Sequence, residues 1–469
     1  MRTYNSKALR IEFAAPWVKC LIIAIAFFIV SVLIYLLPPN NLPIDGVLLK
    51  CNRVILSISI SLFLISVLLR IFFTQAKQIK HMIMIGLYYR RYGNPLCLRD
   101  GEFLPIIKVK QLSNTKFLLT IYAIVVNAEI LQKLGVTVSS ILNRRYQRFA
   151  VTVLNTDVAL SYVQYTLEDV TIDKSFSFYS VDQMKPVRQT VFVVQKGDSI
   201  DLTTSGSILV AGKTRSGKTT GIISILIQAL LCGRDHQYSQ ITIIDPKCAE
   251  LSVLPHVVTV DDDVEATAIL QSLKEFEAAM RKRQRILNER SKQIGDAVHW
   301  WEFDMHPSFL FIDEYVACRS LFPKKAEKGS DYCLAAFDNT LKRIVTMGAS
   351  AGCFVILSIA EASVDEGGLP TMLKNAMTTK ILFKPTLTEG RLIWDSLKLE
   401  NFPERVYSAG DCWFSSTDGE HDDVAFCHFP HMRFPVYREL GRLLKEYYGE
   451  SADGGVPQDG ARRENTISY

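Results

Sequence analysis

The sequence predicts an α/β fold in which a mainly parallel sheet, covered by helices on both faces, follows a two-helix transmembrane hairpin and a small α+β domain. Three observations support this. Two long apolar runs fall within the first 73 residues. From Ser205 to about Pro435, short β-branched runs alternate with helical patterns, as in successive βαβ units. At the start of that region a glycine-containing segment stands where a strand passes into a helix.

That segment is Gly212-Lys213-Thr214-Arg215-Ser216-Gly217-Lys218-Thr219, followed by Thr220. It has the G-x-x-x-x-G-K-[ST] spacing of a phosphate cradle. Ser207 to Ala211 reads as a buried strand entering the loop, and Thr220 to Leu231 as the helix leaving it. Glycines at both ends let backbone N–H groups turn toward phosphate oxygens. Lys218 supplies a point charge for the β- and γ-phosphates, and the Thr219 hydroxyl completes a Mg²⁺ shell. The pattern predicts a site for ATP and Mg²⁺.

A second local pattern follows after roughly 90 residues, room for intervening βα units. Phe309-Leu310-Phe311-Ile312 reads as a short buried strand ending in Asp313-Glu314, where open α/β sheets place ligands. Asp313 is expected to hold Mg²⁺, and Glu314 to polarise the attacking water. The chemistry predicted is ATP hydrolysis.

Of the two apolar runs, Cys20 to Leu37 is uncharged, with Trp17 ahead of it, and Val54 to Phe73 is interrupted only by Arg70. Each is long enough to cross a bilayer. A signal peptide is the competing reading of the first run, but no small-residue cleavage site follows it. Arg2, Lys7, Arg10 and Lys19 precede the hairpin, and Lys77, Lys80, Arg90 and Arg91 follow it. The positive-inside rule then predicts both termini in the cytoplasm. Residues 1–150 hold 19 Lys/Arg against 5 Asp/Glu, whereas the remainder holds 34 against 43. This asymmetry fits a membrane-proximal segment and does not by itself indicate nucleic acid. The ten cysteines lack a C-x-x-C pair, which argues against zinc and disulfide frameworks.

The domain organisation expected is a cytoplasmic segment 1–16, spans at about 17–37 and 54–73, and a basic juxtamembrane helix 74–100. A small α+β adaptor at 101–195 comes next, with one helical stretch from Ala128 to Asn143 and the basic triplet Arg144, Arg145 and Arg148. A motor domain at 196–440 and a disordered tail at 449–469 complete it.

The ordered motifs resemble the FtsK/SpoIIIE branch of the FtsK–HerA superfamily. The matching residues are the phosphate loop, Ile244-Asp245-Pro246-Lys247, Glu250-Leu251, Leu254-Pro255-His256, the long helix with Met280-Arg281-Lys282-Arg283, and Asp313-Glu314. Ala351-Gly352 leading into Phe354-Val355-Ile356-Leu357-Ser358, and Gly410-Asp411-Cys412-Trp413-Phe414, complete the set. The resemblance covers roughly residues 190–435. It implies a RecA-like P-loop motor, a hexameric ring ATPase that moves DNA or, in some branches, exports proteins. It also departs from the family's pattern. Ala360 stands where a γ-phosphate-sensing Gln is usual, leaving Ser358 or Glu361 as substitutes, and Gly348 is followed by Ala349 rather than Arg. Arg283 and Arg343 are the two candidates for an arginine acting in trans.

Two spans, one adaptor and one motor look most like the coupling proteins of Gram-positive conjugative plasmids and integrative conjugative elements. Relatives that segregate chromosomes carry a winged-helix DNA reader, for which the residues after 435 are too few. The expected role is therefore a homohexameric DNA translocase in a bacterial cell membrane, with relaxase and transfer-channel proteins as partners and little sequence preference for its cargo. Protein export, chromosome or plasmid segregation, and a nucleotide-switched regulator are the alternatives. Lys324, Lys325 and Lys328, in a loop bounded by Pro323 and Gly329, are candidates to face DNA, against a plain solvated loop.

Overall fold

The computed structural model describes residues 3–7, 14–36, 45–89, 93–123, 126–143, 145–157, 159–172, 175–260, 266–360, 369–394, 407–419, 421–422 and 424–449. They form two compact units, one built on the chain up to residue 173 and the other on the chain from 174 onward.

The first unit opens with α1 (Pro16–Leu36) and α2 (Asp45–Ile71). Pro16 sits at the first helical position, where its missing N–H costs nothing. Both helices are apolar on every side, leaving large side chains such as Phe28, Leu33, Leu64 and Leu68 exposed, and both are long and apolar enough to cross a bilayer. Where they meet, the buried residues are small: Ala24, Ser31, Ser59 and Ser66. Ser59 donates to the Ala24 carbonyl (2.9 Å), Ser66 to the Trp17 carbonyl (2.8 Å) and Ser31 to the Asn52 side-chain oxygen (2.5 Å). Close approach of small residues, with hydroxyls satisfied across the seam, is how helices associate where no hydrophobic force acts between them. The second helix starts nine residues before the expected position 54, because Lys50 and Arg53 end the apolar run without ending the helix.

The basic helix expected at 74–100 is shorter. It is α3 (Gln75–Tyr88), and beyond Gly93 the Asn94 side chain bonds both the N–H and the carbonyl of Leu98, closing a turn. Strands β1 (Ile107–Gln111) and β2 (Lys116–Tyr122), helices α4 (Ala128–Gln132) and α5 (Gly135–Leu142), and strands β3 (Phe149–Thr156) and β4 (Tyr162–Asp169) follow. The expected helix 128–143 is broken at Lys133-Leu134. The four strands form an antiparallel sheet in the order β1-β2-β4-β3. Ile79, Ile83 and Leu87 of α3 join Phe117, Leu119, Val163 and Tyr165 in its core.

The second unit contains β5 (Ser177–Phe178), β6 (Val191–Gln195), β7 (Asp198–Asp201), β8 (Ile208–Gly212), α6 (Lys218–Leu231), β9 (Ile241–Asp245) and β10 (Val257–Thr259). Then come α7 (Thr267–Ile294), β11 (Ser308–Ile312), α8 (Tyr315–Ser320), α9 (Leu334–Met347), β12 (Cys353–Ile359), α10 (Thr371–Ala376) and β13 (Thr379–Phe383). Helix α11 (Leu387–Trp394), β14 (Asp411–Ser415), β15 (Ala425–His428), β16 (His431–Met432) and α12 (Val436–Tyr448) complete it. Eight strands make one sheet in the order β10-β9-β11-β12-β8-β13-β14-β15. The first six run parallel, and the last two pairings, β13 with β14 and β14 with β15, are antiparallel. All residues of β8, β11 and β12 are buried, as expected of strands covered on both faces.

Strand β6, which falls within the adaptor bounds 101–195 expected from the sequence, pairs with β7 and belongs to this unit. Its attachment is explicit: the buried Gln228 amide on α6 both accepts from Val193 N–H (2.8 Å) and donates to Val193 C=O (2.9 Å), completing that edge.

Arg283 requires a correction. It is fully buried, so it is unable to reach a neighbouring subunit and is not an arginine acting in trans. Its Nε donates to the Ala351 carbonyl (2.7 Å), Nη2 to His306 O (2.8 Å), and Nη1 to Gln237 O (3.4 Å) and Asp235 Oδ2 (3.3 Å). Burial alone would raise the Asp235 carboxyl, but the His306, Gln237 and Ser239 N–H groups and Arg283 hold it below the usual carboxylate range. A lysine has one donor centre and cannot span these acceptors. Arg283→Lys is therefore expected to cost about 3 kcal/mol and to lower the thermal midpoint of the detergent-solubilised chain by roughly 10 °C. A midpoint within a degree of the parent's would show the knot to be dispensable.

Candidate nucleotide site

The phosphate loop joins β8 to α6 at the end of the sheet where β11, β12 and β13 also terminate. Gly212 has φ +149°, and a Cβ there would lie 2.9 Å from Phe383 Cβ and 2.9 Å from Ser216 Oγ. Gly217 has φ +96°, and its Cβ would lie 2.6 Å from the Gly410 nitrogen. Both positions thus require glycine by dihedral and by space. Lys213, Thr214 and Arg215 form the exposed tip, with Arg215 in the left-handed region. Ser216 is buried, and its hydroxyl has no hydrogen-bond partner among the described residues. The helix starting at Lys218 leaves its first N–H groups and the positive end of its dipole at the loop. Thr219 lies half-buried on the first turn, and Thr220 is exposed.

The carboxylates converge on the same edge. Strand β12 lies between β8 and β11, so its end reaches both. Lys218 Nζ donates to the Ile359 carbonyl (3.2 Å) and lies 3.6 Å from Glu314 Oε2. Lys247 Nζ lies 3.5 Å from the same oxygen, while Glu314 Oε1 accepts from the Ala360 N–H (3.1 Å). Glu314 has φ +53°, an unfavourable backbone conformation for a residue with a Cβ. The Asp313 carboxyl is raised above its ordinary value. Burial is the main cause and the Asp245 and Glu314 charges add to it, while the Lys218 ammonium and Ser358 hydroxyl oppose it. Asp245 is itself fully buried and accepts from the N–H groups of Lys247 (3.1 Å) and Ala249 (2.9 Å), so its carboxylate shapes the turn that presents Lys247.

Lys218, Asp313, Glu314 and the loop are thus brought together as the sequence predicts. Arg343 is elsewhere occupied: its half-exposed guanidinium forks onto Glu277 (2.8 and 2.7 Å), which Arg281 also grips. Ser358 is buried beside Asp313, and Glu361 lies outside the described residues, as do Arg144 and the tail beyond Gly449. Lys324, Lys325 and Lys328 are all exposed, and among the described residues none is paired with a carboxylate.

A support behind the loop was not legible. The Gly410 N–H donates to the Ser216 carbonyl (3.0 Å). The next residue, Asp411, accepts from Ser408 N–H (2.6 Å) and His428 Nδ1 (2.5 Å), and His428 Nε2 meets His431 Nε2 at 3.1 Å. Gly410-Asp411 belonged to the motif set, but nothing in the spacing of His428 and His431 marks them.

Residues 182–299 match the FtsK/SpoIIIE family, a stretch that takes in the phosphate loop and α7. The chain carries an FtsK/SpoIIIE domain. Among curated proteins it is 27% identical over 306 residues to the DNA translocase FtsK of Rhizobium meliloti, covering 56% of this chain and 31% of that protein. It is 28% identical over 152 residues to the FtsK domain-containing protein YdcQ of Bacillus subtilis, covering 32% and 28%. The chain therefore spans under a third of the length of these relatives. Among solved structures, the pCW3 conjugation coupling protein TcpA with ATPγS is 16% identical with a TM-score of 0.47, covering 73% of this chain and 94% of that one. EssC (ATPases 2 and 3) of Geobacillus thermodenitrificans is 17% identical with a TM-score of 0.42, covering 59% and 52%.

The FtsK/SpoIIIE domain's oxygen donors fit Mg²⁺. Among the described residues no group of three or more His, Cys, Asp or Glu side chains forms a metal cage. Thr219 and Asp313 would thus hold the ion together with nucleotide oxygens, the usual mode for this cation. Gly217→Ala, which drives a methyl group into Gly410, is expected to weaken ATP binding at least tenfold. Titration with a fluorescent ATP analogue measures this, and parental affinity would mean the loop does not contact phosphate.

Proposed function

We propose that the chain is a membrane-anchored DNA translocase driven by ATP hydrolysis. The observation that carries this reading is the convergence of Lys218, Asp313 and Glu314 on one sheet edge of an FtsK/SpoIIIE domain. Phosphate oxygens compete with Glu314 for Lys218, releasing the Glu314 carboxylate to take a proton from water as the water oxygen attacks the γ-phosphorus and the bond to the ADP oxygen breaks. Mg²⁺ at Thr219 and Asp313 would neutralise charge on the phosphates. Arg343 is the remaining candidate for a guanidinium supplied across subunits of a homohexamer, since its side chain is 43% exposed where Arg283 is 0%.

The cargo proposed is DNA, on the strength of the relatives named DNA translocases. The finer role proposed is a coupling protein that passes DNA, with a relaxase, to a conjugative transfer channel. Two apolar helices, one small α+β unit and a single motor support it. The proposed location of both termini and the motor is the cytoplasm, a reading supported by the positive charge flanking the hairpin.

Steady-state ATPase assays test the engine. Glu314→Gln is expected to keep ATP binding while lowering kcat by about 100-fold or more, and duplex DNA, not a secreted polypeptide, is expected to stimulate the parent. Stimulation by polypeptide alone would transfer the reading to protein export. Conjugation frequency with Lys218→Ala tests the coupling role, and parental transfer would refute it. Replacing Lys324, Lys325 and Lys328 together is expected to reduce the salt slope of DNA binding by about 2–3. An unchanged slope would assign these lysines to the solvated surface.

A further inference from the structure

Where the hairpin meets the first unit's α3, a cavity of about 530 Å³ opens, lined by the start of α1, the end of α2, α3 and Arg145. Its walls are mostly apolar, including Phe73 and Ile85, yet two guanidinium groups, Arg70 and Arg145, border it and no described lining residue is a carboxylate. Among the described residues neither arginine is paired with an acid. Arg70 lies over the Trp17 ring, 5.3 Å from its centroid, which restricts its position without neutralising it. Gln78 is already committed, donating to Phe73 O (2.8 Å) and accepting from Tyr146 OH (2.5 Å); His81, edge-on to Phe73, is the other polar lining residue, and the arginines are the cavity's permanent cations.

The level of this cavity along the hairpin is fixed by two features. Ser66 near the end of α2 bonds the Trp17 carbonyl near the start of α1, so Trp17 and Arg70 mark one end of the antiparallel pair. Tryptophan and arginine at the end of a span sit at headgroup depth, on the side where positive charge accumulates. A pocket with two unpaired cations and apolar walls, open beside lipid-facing helices, is complementary to a phosphodiester that carries acyl chains. Free phosphate would satisfy the cations but leave the apolar wall wet.

We propose that this cavity binds the headgroup of an anionic phospholipid, Arg70 and Arg145 taking the phosphodiester and the Phe73–Ile85 wall the first acyl carbons. The proposal rests on the reading of α1 and α2 as membrane spans with this end on the cytoplasmic side.

The test uses the full chain released from nanodiscs of mixed phosphatidylglycerol and phosphatidylcholine into native mass spectrometry. The parent is expected to retain phosphatidylglycerol preferentially. Arg70→Gln with Arg145→Gln should lower that preference about tenfold. Ile85→Trp, which keeps both charges but fills the cavity, should lower it similarly, while the exposed Lys110→Gln should not. Parental preference in the double variant or in the filled variant would overturn the proposal, as would equal loss in the Lys110→Gln control. Dihexanoyl phosphatidylglycerol should raise the thermal midpoint where inorganic phosphate does not, and an equal rise with phosphate alone would overturn the lipid assignment. Alkaline carbonate extraction separates the two readings: extraction of the parent would remove the membrane reading and this proposal together, whereas an inserted parent without lipid preference removes only the proposal.

Discussion

The compensation of buried negative charge by Lys218 is the constraint on which the site depends. Asp313, Asp245 and Glu314 are drawn together at the edge of a sheet whose central strands are buried on both faces, and each added carboxylate raises the cost of the others. Lys218 and Lys247 flank Glu314 with side chains 11% and 52% exposed. The less exposed lysine works in the lower dielectric, so its charge counts for more. Truncating it would leave the more exposed Lys247 as the lysine flanking the cluster. Lys218 therefore bears on the stability of the carboxylate cluster as well as on the loop it belongs to.

The parts of this site legible in the sequence are the local ones. The loop from Gly212 to Thr219 and the pair Asp313-Glu314 each follow a short apolar strand, and chain connectivity alone places both at the strands' C-terminal ends. Arg283 was misread for the opposite reason. It stands in the run Arg281-Lys282-Arg283, which as composition reads as a solvated face. Helical phase tells otherwise, since Arg283 lies three residues after the buried Met280 and four before the buried Leu287. Its acceptors come from residues 235–237, 306 and 351, contacts that no local pattern carries. His428 and His431 were illegible on the same ground, because the residue they serve through Asp411 and Gly410 lies some 200 positions earlier. Strand β4 is hard to read from the sequence although its alternate residues are buried, because polar residues between Val163, Tyr165 and Leu167 dilute the run.

The two units solve burial differently. In the motor, α6 is buried almost from end to end between Gly221 and Leu230, and the hydrophobic effect suffices to hold it. In the hairpin that force is absent between the helices, and the seam is built from alanine and serine instead. Substituting leucine at Ser59 would be mild in a water-exposed helix but would separate these two, because it removes the hydroxyl donated to Ala24 and widens the contact together. The same hydrophobicity thus produces a packed core in one unit and an exposed apolar surface in the other.

Ala360 stands where the resemblance implies a glutamine side chain, and the structure offers a different contact there. The Ala360 N–H bonds Glu314, and the preceding carbonyl, of Ile359, accepts from Lys218. Both are main-chain groups, so their presence does not depend on side-chain identity, only on where the end of β12 lies. That end is set by register with β8 and β11 on either side. Its other end is tied to the turn after α9 through Cys353 N–H to Gly348 O (2.9 Å). Glu277 and Arg343 bind α7 to α9 directly ahead of that turn. A shift of α9 would therefore move Ile359 and Ala360 together, changing the positions of Lys218 and Glu314 in one step, whereas a side-chain sensor would act on one of them alone.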